Sequence, residues 1–236
     1  MNLSENKLIY RRLSRKGFQP QHVAEVGVYL PETSNILDYI KQGIRTTLVE
    51  ADPHCIEAIR QYFGNKYAIT LHAVAIYDHE GSIELINRAA STFASALDSS
   101  PALVNDAYQK QDADKFTVPA KRFDSIDDGT IDLLSIDIEG CEWYVLKYMK
   151  SRPAVISVET HGKRYINPFI NEITTWMQQN GYQLWYKDDS DSVYIRKGLF
   201  AITAADRWRL HFTDIKLAWK RRKAQLKDTI WRRANH

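Results

Sequence analysis

Apolar and polar positions along the chain change period repeatedly, and the changes predict alternating strands and helices. Residues 22–28 (HVAEVGV) form a short β-branched run that ends at a glycine. Thr33 or Ser34 then reads as the N-cap of a helix carrying Ile36, Leu37 and Ile40, closed by Gly43. A second strand fits Thr46 to Glu50. Asp52 caps the next helix and Pro53 opens it. Ile56, Ile59 and Phe63 share one face, and Gly64 stops it. A third strand fits Ala68 to Ile76, and Gly81 turns the chain into Ser82 to Ile86.

The stretch from Asn87 to Pro119 is rich in Ala, Ser and Asp and poorly periodic. It reads as a long, partly helical excursion from the core, the kind of loop that serves as a lid or substrate loop. Periodicity returns at Ile131 to Ile138 (IDLLSIDI). A helix with Val145, Leu146 and Met149 follows, then the strand Ala154 to Glu159. Next is a helix with Phe169, Ile170, Ile173 and Trp176, ended by Gly181. Tyr182 to Tyr186 and Ser192 to Arg196 flank a turn-rich stretch and read as a hairpin.

Strands separated by single helices predict parallel βαβ units, and the closing hairpin predicts a last strand antiparallel to the rest. The expected fold is α/β: a doubly wound, mostly parallel, seven-stranded Rossmann-like sheet with an antiparallel last strand. A C-terminal amphipathic helix is expected to follow. Residues 1–20 are expected to form an N-terminal helical segment, 21–200 the main domain and 201–236 the basic amphipathic helix.

Composition narrows the class. Of the 236 residues, 44% are apolar, with 13 Tyr, 8 Phe and 6 Trp, enough to fill a core and to exclude disorder as the main state. Cys55 and Cys141 are too few for a disulfide framework or a four-thiolate zinc site. The N-terminal MNLSENKLIYRRLSRKGF has no apolar stretch of the length of a secretory signal, and no run approaches the roughly 20 apolar residues of a membrane span. The expected location is the cytoplasm.

In doubly wound sheets, ligands bind beyond the carboxyl ends of the strands. Carboxylates stand at nearly every such end here: Glu25, Glu50, Asp137 with Glu139 and Glu142, and Glu159 followed by His161. Carboxylates are rarely buried without partners, so packing alone explains them poorly. Glu25-Val26-Gly27 lacks the three glycines of a dinucleotide fingerprint, which suits a ligand without phosphates. Glu50 is placed to accept both hydroxyls of a ribose, and Asp52, as the helix cap, leaves it free to do so. The segment Ser135 to Glu142 delivers three carboxylates within six residues around a turn at Gly140. Such a cluster can hold a divalent cation, orient a hydroxyl or act as a base.

The stretch from Asp132 to Leu146, DLLSIDIEGCEWYVL, resembles the signature of the FkbM family of S-adenosylmethionine (SAM)-dependent methyltransferases. Residues 23–35 resemble that family's first motif, His72 to Leu85 its third, and Thr92 to Leu97 (TFASAL) the serine-containing loop that follows. The resemblance implies a SAM-dependent O-methyltransferase of the class I fold. It implies that Glu25 and Gly27 lie near the methionine end of SAM, that Glu50 holds the ribose, that Ala73 and Ala75 line the adenine and that Asp137 closes the pocket. Tyr29, Ser34 and Ala51 complete the expected cofactor set. The first motif departs from the family's glycine-rich form at Tyr29-Leu30-Pro31-Glu32.

His161 is the expected general base, because imidazole titrates near neutral pH. Glu159 would orient it and Glu139 would hold the acceptor hydroxyl. His161 reads equally as a structural loop histidine. A divalent metal held by Asp137, Glu139, Glu159 and His161 is compatible with the residue types, but the spacing does not demand it. FkbM-like enzymes methylate sugars or polyketide-type hydroxyls, so the expected acceptor is a sugar of a surface polysaccharide or glycolipid. A macrolide-type hydroxyl is the alternative. Trp143, Tyr144 and Tyr165 would stack on a sugar face or belong to the core.

From Asp206 onward the chain changes character. It carries ten basic and three acidic residues, against 22 basic and 26 acidic before it, so a net charge of +3 conceals two unlike parts. Trp208, Phe212, Ile215, Trp219, Leu226 and Ile230 recur at helical spacing. A basic helix with an aromatic stripe is expected either at an anionic membrane surface, peripheral to the inner face of the cytoplasmic membrane, or docked on its own domain or a second copy of the chain. Nucleic acid is not an expected partner, since no nucleic-acid motif is present. A membrane-recruited, non-catalytic protein with a methyltransferase fold is the alternative from a different class.

Overall fold

The computed structural model describes residues 6–234; the side chains of Ala89 and of residues 225–234 lie outside the described set, and with them the Leu226 and Ile230 end of the apolar stripe. The expectations for residues 1–5 and 235–236 also fall outside it. In chain order the main elements are α1 (Leu8–Arg15), β1 (His22–Val26), α2 (Leu37–Lys41), β2 (Arg45–Glu50), α3 (Pro53–Phe63), β3 (Ile69–Ala73), β4 (Ala75–Ile76), β5 (Gly81–Ile86) and β6 (Phe93–Ala94). They continue as α4 (Pro101–Asn105), β7 (Lys115–Lys121), β8 (Leu133–Ile136), α5 (Glu142–Tyr148), β9 (Val155–Glu159), α6 (Ile170–Gln179), β10 (Tyr182–Lys187), β11 (Asp191–Arg196) and α7 (Ala204–Ala234).

Seven strands make one sheet in the order β10-β11-β9-β8-β1-β2-β3. All neighbours pair in parallel except β11, which is inserted antiparallel to both β9 and β10. The central strands read as unbroken apolar runs because both faces are covered. Val23, Leu133, Val155 and Ile195 pack on one side with α1, α2 and α3. Ala24, Leu134, Ile156 and Val158 pack on the other with α5 and α6. The chain first winds outward through β2 and β3 and then restarts at β8 on the other side of β1. The order therefore reverses between β1 and β8, and a crevice opens beyond their carboxyl ends.

Three local readings change. The third strand is not continuous: it breaks at Val74, so that β3 belongs to the main sheet and β4 to a second one. That second sheet has the order β4-β7-β5-β6, and its spine β7 begins at the end of the stretch read as a partly helical excursion. Phe116, Val118 and Ala120 alternate inward along β7, but the Lys115, Lys121 and Pro119 around them mask the period. Pro119 is tolerated because β4 pairs only with Ala120 and Lys121, leaving that side of Pro119 open. Finally, Ser34 caps no helix; α2 starts at Leu37 and has no side-chain cap. Asp52 does cap α3, accepting from the His54 N–H at 2.8 Å.

Candidate active site

A cavity of about 560 Å³ occupies the crevice, within the ~300–1,000 Å³ of ordinary small-molecule sites. Its floor is the β1 turn. Gly27 has φ +83°, and a Cβ there would lie 1.8 Å from the Asp137 carbonyl oxygen, so only glycine lets the ends of β1 and β8 close on each other. Tyr29 follows with φ 57°, a conformation that costs a non-glycine residue on the order of 1 kcal/mol. Glu50 holds it there: Oε2 accepts the N–H groups of Val28 at 3.0 Å and Tyr29 at 2.9 Å.

The other oxygen of Glu50 is also filled. Oε1 accepts from Ala51 at 2.7 Å and Asp52 at 2.9 Å. Four N–H donors occupy the four lone-pair directions of the carboxylate. Burial pushes its pKa up, opposed by those four donors. Glu50 lines the cavity, as expected, but it is not free to receive a ribose. It braces the β1 and β2 ends, and a sugar hydroxyl reaches it only by displacing a backbone donor. Glu25 is likewise engaged, with Ser34 Oγ donating to Oε2 and the Asn35 N–H to Oε1 at 2.8 Å. Ser34 thus stands behind Glu25 rather than on the cavity wall.

Gly27, Tyr29, Ala51, Ala75 and Asp137 line the cavity with Glu25 and Glu50. Ala73 does not; Val74, Ala75, Ile76 and Tyr77 make that apolar wall instead, because the β3–β4 break turns the following residues inward. The roof comes from the second sheet (Leu85, Phe93, Ala94) and the mouth from the hairpin turn 188–191.

Acidic side chains dominate one end. Asp137, Glu142 and Glu159 offer oxygens within 4.8 Å of one another. Glu142, at the start of α5, folds back over its own loop. It accepts from Ile138 N at 2.9 Å, from Gly140 N at 3.1 Å and from Asn167 Nδ2. Asp137 Oδ1, Glu139 Oε2, Glu159 Oε2 and the Tyr165 hydroxyl are buried with no hydrogen-bond partner among the described residues. Burial, followed by repulsion from Asp191, Glu142 and Glu25, holds the Asp137 carboxyl far above its ordinary range. Burial and the neighbouring Asp137 push Glu139 up to about 9, and burial raises Glu25 to about 7 and Asp191 to about 6. Glu139 has φ 58° beside Gly140, which turns its carboxyl to the cavity.

His161 is not at this site. It is 5% exposed and stands outside the cavity lining. Its Nδ1 pairs with Thr160 Oγ1 at 2.9 Å and its Nε2 with the Asp188 carbonyl at 3.1 Å. With both nitrogens held and burial lowering its pKa, it is a structural histidine. That also removes it from any metal set. Glu159 lies behind Asp137, off the cavity wall. Trp143, Tyr144 and Tyr165 are packing residues: Trp143 borders the α5–α6 core, Tyr144 packs on Tyr77 and Phe169, and Tyr165 is fully buried. Among the site residues not singled out from sequence are Tyr77, which lies inside the His72 to Leu85 motif, and the 188–191 turn, which carries no motif.

Residues 21–184 match the methyltransferase FkbM domain. The chain belongs to the FkbM methyltransferase family. Its cofactor is S-adenosyl-L-methionine. The residues present fit that group: it carries a sulfonium and an ammonium, and this FkbM cavity presents buried carboxylate oxygens without partners and an apolar wall of Val74, Ala75 and Ile76. Among solved structures, the FkbM chain is similar to a ribosomal protein L11 methylase from Lactobacillus delbrueckii subsp. bulgaricus, with 14% identity over 78% of this chain and 74% of that one and a TM-score of 0.44. It is similar to a SAM-dependent methyltransferase from Aquifex aeolicus, with 10% identity over 82% and 91% and a TM-score of 0.43. A fibrillarin from Aeropyrum pernix, with natively bound S-adenosyl-L-methionine, shares 9% identity over 75% and 66%, with a TM-score of 0.42. No curated protein matches the sequence.

Proposed function

We propose that this methyltransferase acts on oxygen, and that its acceptor is a sugar hydroxyl of a polysaccharide or glycolipid. The observation that carries the reading is Glu139, whose unpartnered Oε2 sits on the cavity wall with a pKa far above that of an ordinary carboxylate. When bound, SAM supplies an electrophilic methyl group on a positively charged sulfur. Glu25, Gly27 and Asp137 hold its methionine end, Ala75 to Tyr77 cover the base, and the 188–191 turn closes the mouth. In its ionised form, which gains population as the pH rises toward about 9, Glu139 accepts the acceptor's O–H through Oε2 and takes that proton as the oxygen is methylated. Glu159 is a positioning residue that acts through Asp137. The polar mouth (Thr33, Asn35, Asp188, Asp189) suits a polyhydroxyl acceptor better than a macrolide.

The reading extends to place. No helix among the described residues is long and apolar enough to cross a membrane. One face of α7 packs on the body through Leu217 and Ala224, fastened by Lys187–Asp214, Lys220–Asp189 and Lys16–Asp206 pairs. The opposite face exposes Trp208, Phe212, Ile215 and Trp219, each 52–62% accessible. Arg209, Lys216, Arg222 and Lys223 flank that stripe, an arrangement suited to the surface of an anionic bilayer.

Radiolabelled SAM with candidate glycans tests the reaction, a +14 mass shift on oxygen being the product. Glu139→Gln is expected to lower kcat ~10²–10⁴-fold while SAM still binds. An unchanged kcat, or wild-type protein that fails to bind SAM, refutes the assignment.

A further inference from the structure

Acids from several elements converge on one end of the SAM cavity. Glu25 comes from β1, Asp137 and Glu139 from the loop after β8, Glu142 from α5, Glu159 from the end of β9 and Asp191 from the start of β11. Asp106 faces Glu139 from the end of α4, Asp188 acts on Asp191, and Lys7 acts on Glu25. Some of these carboxyls are well supplied with donors. Glu25 has Ser34 and the Asn35 N–H, Asp191 has Ser157 and Ser190, and Glu142 has Ile138, Gly140 and Asn167. Asp137 Oδ1, Glu139 Oε2 and Glu159 Oε2 are buried with no donor among the described residues, and of these three side chains Asp137 and Glu139 line the cavity.

Crowded acids without donors keep their protons. Asp137, Glu142 and Glu159 bring oxygens within 4.8 Å of one another, and a buried carboxylate beside other carboxylates is disfavoured as an anion. The direction of titration agrees. Burial and then Asp137 raise Glu139 to about 9, with the Ser91 hydroxyl opposing them; burial and then Asp191, Glu142 and Glu25 raise Asp137. Tyr165, fully buried, holds its hydroxyl among the same groups without a partner. A Cβ on Gly140 would meet that oxygen at 3.4 Å, and burial, then Glu142, Glu159 and Glu139, keep its proton on. It has an O–H to give and, while the acids stay protonated, no anion to receive it. In that state Glu139 presents a carboxylic acid to the acceptor, not a base. An opposite charge within ~4–6 Å lowers the proton affinity of a carboxyl about 10–1,000-fold, which is enough to ionise Glu139 in the neutral range.

We propose that the cofactor itself switches Glu139 from acid to base: the sulfonium charge drives a proton from the Asp137–Glu139 pair into solvent, and the bare Glu139 Oε2 then receives the proton of the acceptor hydroxyl. The inference rests on the O-methyltransferase reading and adds to it the event that ionises its base at neutral pH. The balance closes over one turnover. The pair gives one proton to solvent as SAM is bound. On transfer the acceptor oxygen gains the methyl carbon, the C–S bond breaks with its electron pair left on sulfur, and the acceptor's proton goes to Glu139. Glu139 is then a carboxylic acid again beside an uncharged sulfur, and the pair has regained its starting protonation before product leaves.

Calorimetric titration of the full chain tests this without turnover. SAM binding is measured at about pH 7.5 in phosphate and in Tris, whose different ionisation heats give the protons released per SAM bound. S-adenosylhomocysteine, which keeps the amine and lacks the sulfonium charge, is the matched probe. The expected release is about 0.3–1 proton for SAM and less than half of that for S-adenosylhomocysteine. Glu139→Gln is expected to bind SAM and to release less than half as much as wild type. Equal release with the two ligands overturns the proposal, and that comparison needs no variant. So does full release from Glu139→Gln, which places the proton on another acid such as Glu25. The titrations are repeated with EDTA and with excess Mg²⁺, and the same release is expected in both. Mg²⁺ that expels protons from the SAM-free protein and abolishes the release on SAM binding makes the cluster a metal site and also overturns the proposal. Methylation of a hydroxyl without proton release removes the switch and leaves the O-methyltransferase reading. Proton release from a protein that methylates no hydroxyl refutes that reading and leaves the SAM-driven ionisation standing.

Discussion

Replacing Glu50 by glutamine separates a ligand-binding role from a bracing one. The carboxylate satisfies the N–H groups of Val28, Tyr29, Ala51 and Asp52 at 2.7–3.0 Å. A glutamine amide keeps one oxygen, which can serve two of these donors, and turns an NH₂ toward the other two. Each orphaned buried donor costs about 1–3 kcal/mol, so two cost about 2–6 kcal/mol. Removing a buried charge returns part of that, because burial pushes the Glu50 pKa up. The expected net loss is about 3 kcal/mol. For a chain of this length that lowers the melting temperature by about 6–12 °C. Thermal and urea unfolding followed by circular dichroism, with SAM binding measured on the same samples, is the assay. The bracing argument predicts that stability and SAM affinity fall together. A loss below about 0.5 kcal/mol accompanied by loss of SAM binding would refute it and return Glu50 to a pure ribose contact.

Gly27→Ala is expected to abolish SAM binding and to cost several kcal/mol, since its Cβ would lie 1.8 Å from a backbone oxygen at φ +83°; an alanine variant with wild-type Tm contradicts the close approach of β1 and β8. Stability is expected to fall between pH 7 and pH 9. There the native state keeps protons on Glu139, up to about 9, and on Asp137 and Glu159, which unfolded carboxylates have already lost; a flat profile by urea unfolding rejects the buried acid cluster. Below pH 7 the buried His22 and His161 and the half-buried His72, whose pKa values burial lowers, act with the opposite sign. His161→Asn is expected to leave the pH profile of methyl transfer unchanged and to lower stability by about 1–2 kcal/mol through the Asp188 and Thr160 contacts; a shifted pH optimum restores the histidine as a base. Trp208→Ser/Phe212→Ser/Ile215→Ser is expected to lose anionic-vesicle binding at wild-type Tm, because those side chains touch no core; retained binding removes the bilayer from the reading.

The order of elements was legible because its signals are local. Asp52-Pro53 announces a helix start within two residues, IDLLSIDI announces a doubly covered strand, and the hairpin around the 188–191 turn announces the reversed strand. The family signature from Asp132 to Leu146 likewise placed the acids at strand ends, where the crevice lies. What each acid does there is not local. Glu50 is saturated by donors up to 22 residues away, and Glu142 is held by Asn167, 25 residues on. His161 is drawn out of the site by a carbonyl 27 residues later. β7 escaped notice because its partners are β4 and β5, and lysines at its ends blur the alternation. The tail shows the same division. Its amphipathic stripe and its charge are written in the sequence. Only the packed structure decides that Leu217 and Ala224 turn inward while Trp219 stays exposed, and that Lys220 and Lys223 meet Lys163 and Arg164 across a cavity next to the SAM site. Periodicity and caps come from neighbours along the backbone, whereas hydrogen-bond saturation and charge convergence come from segments that meet only when the sheet is wound.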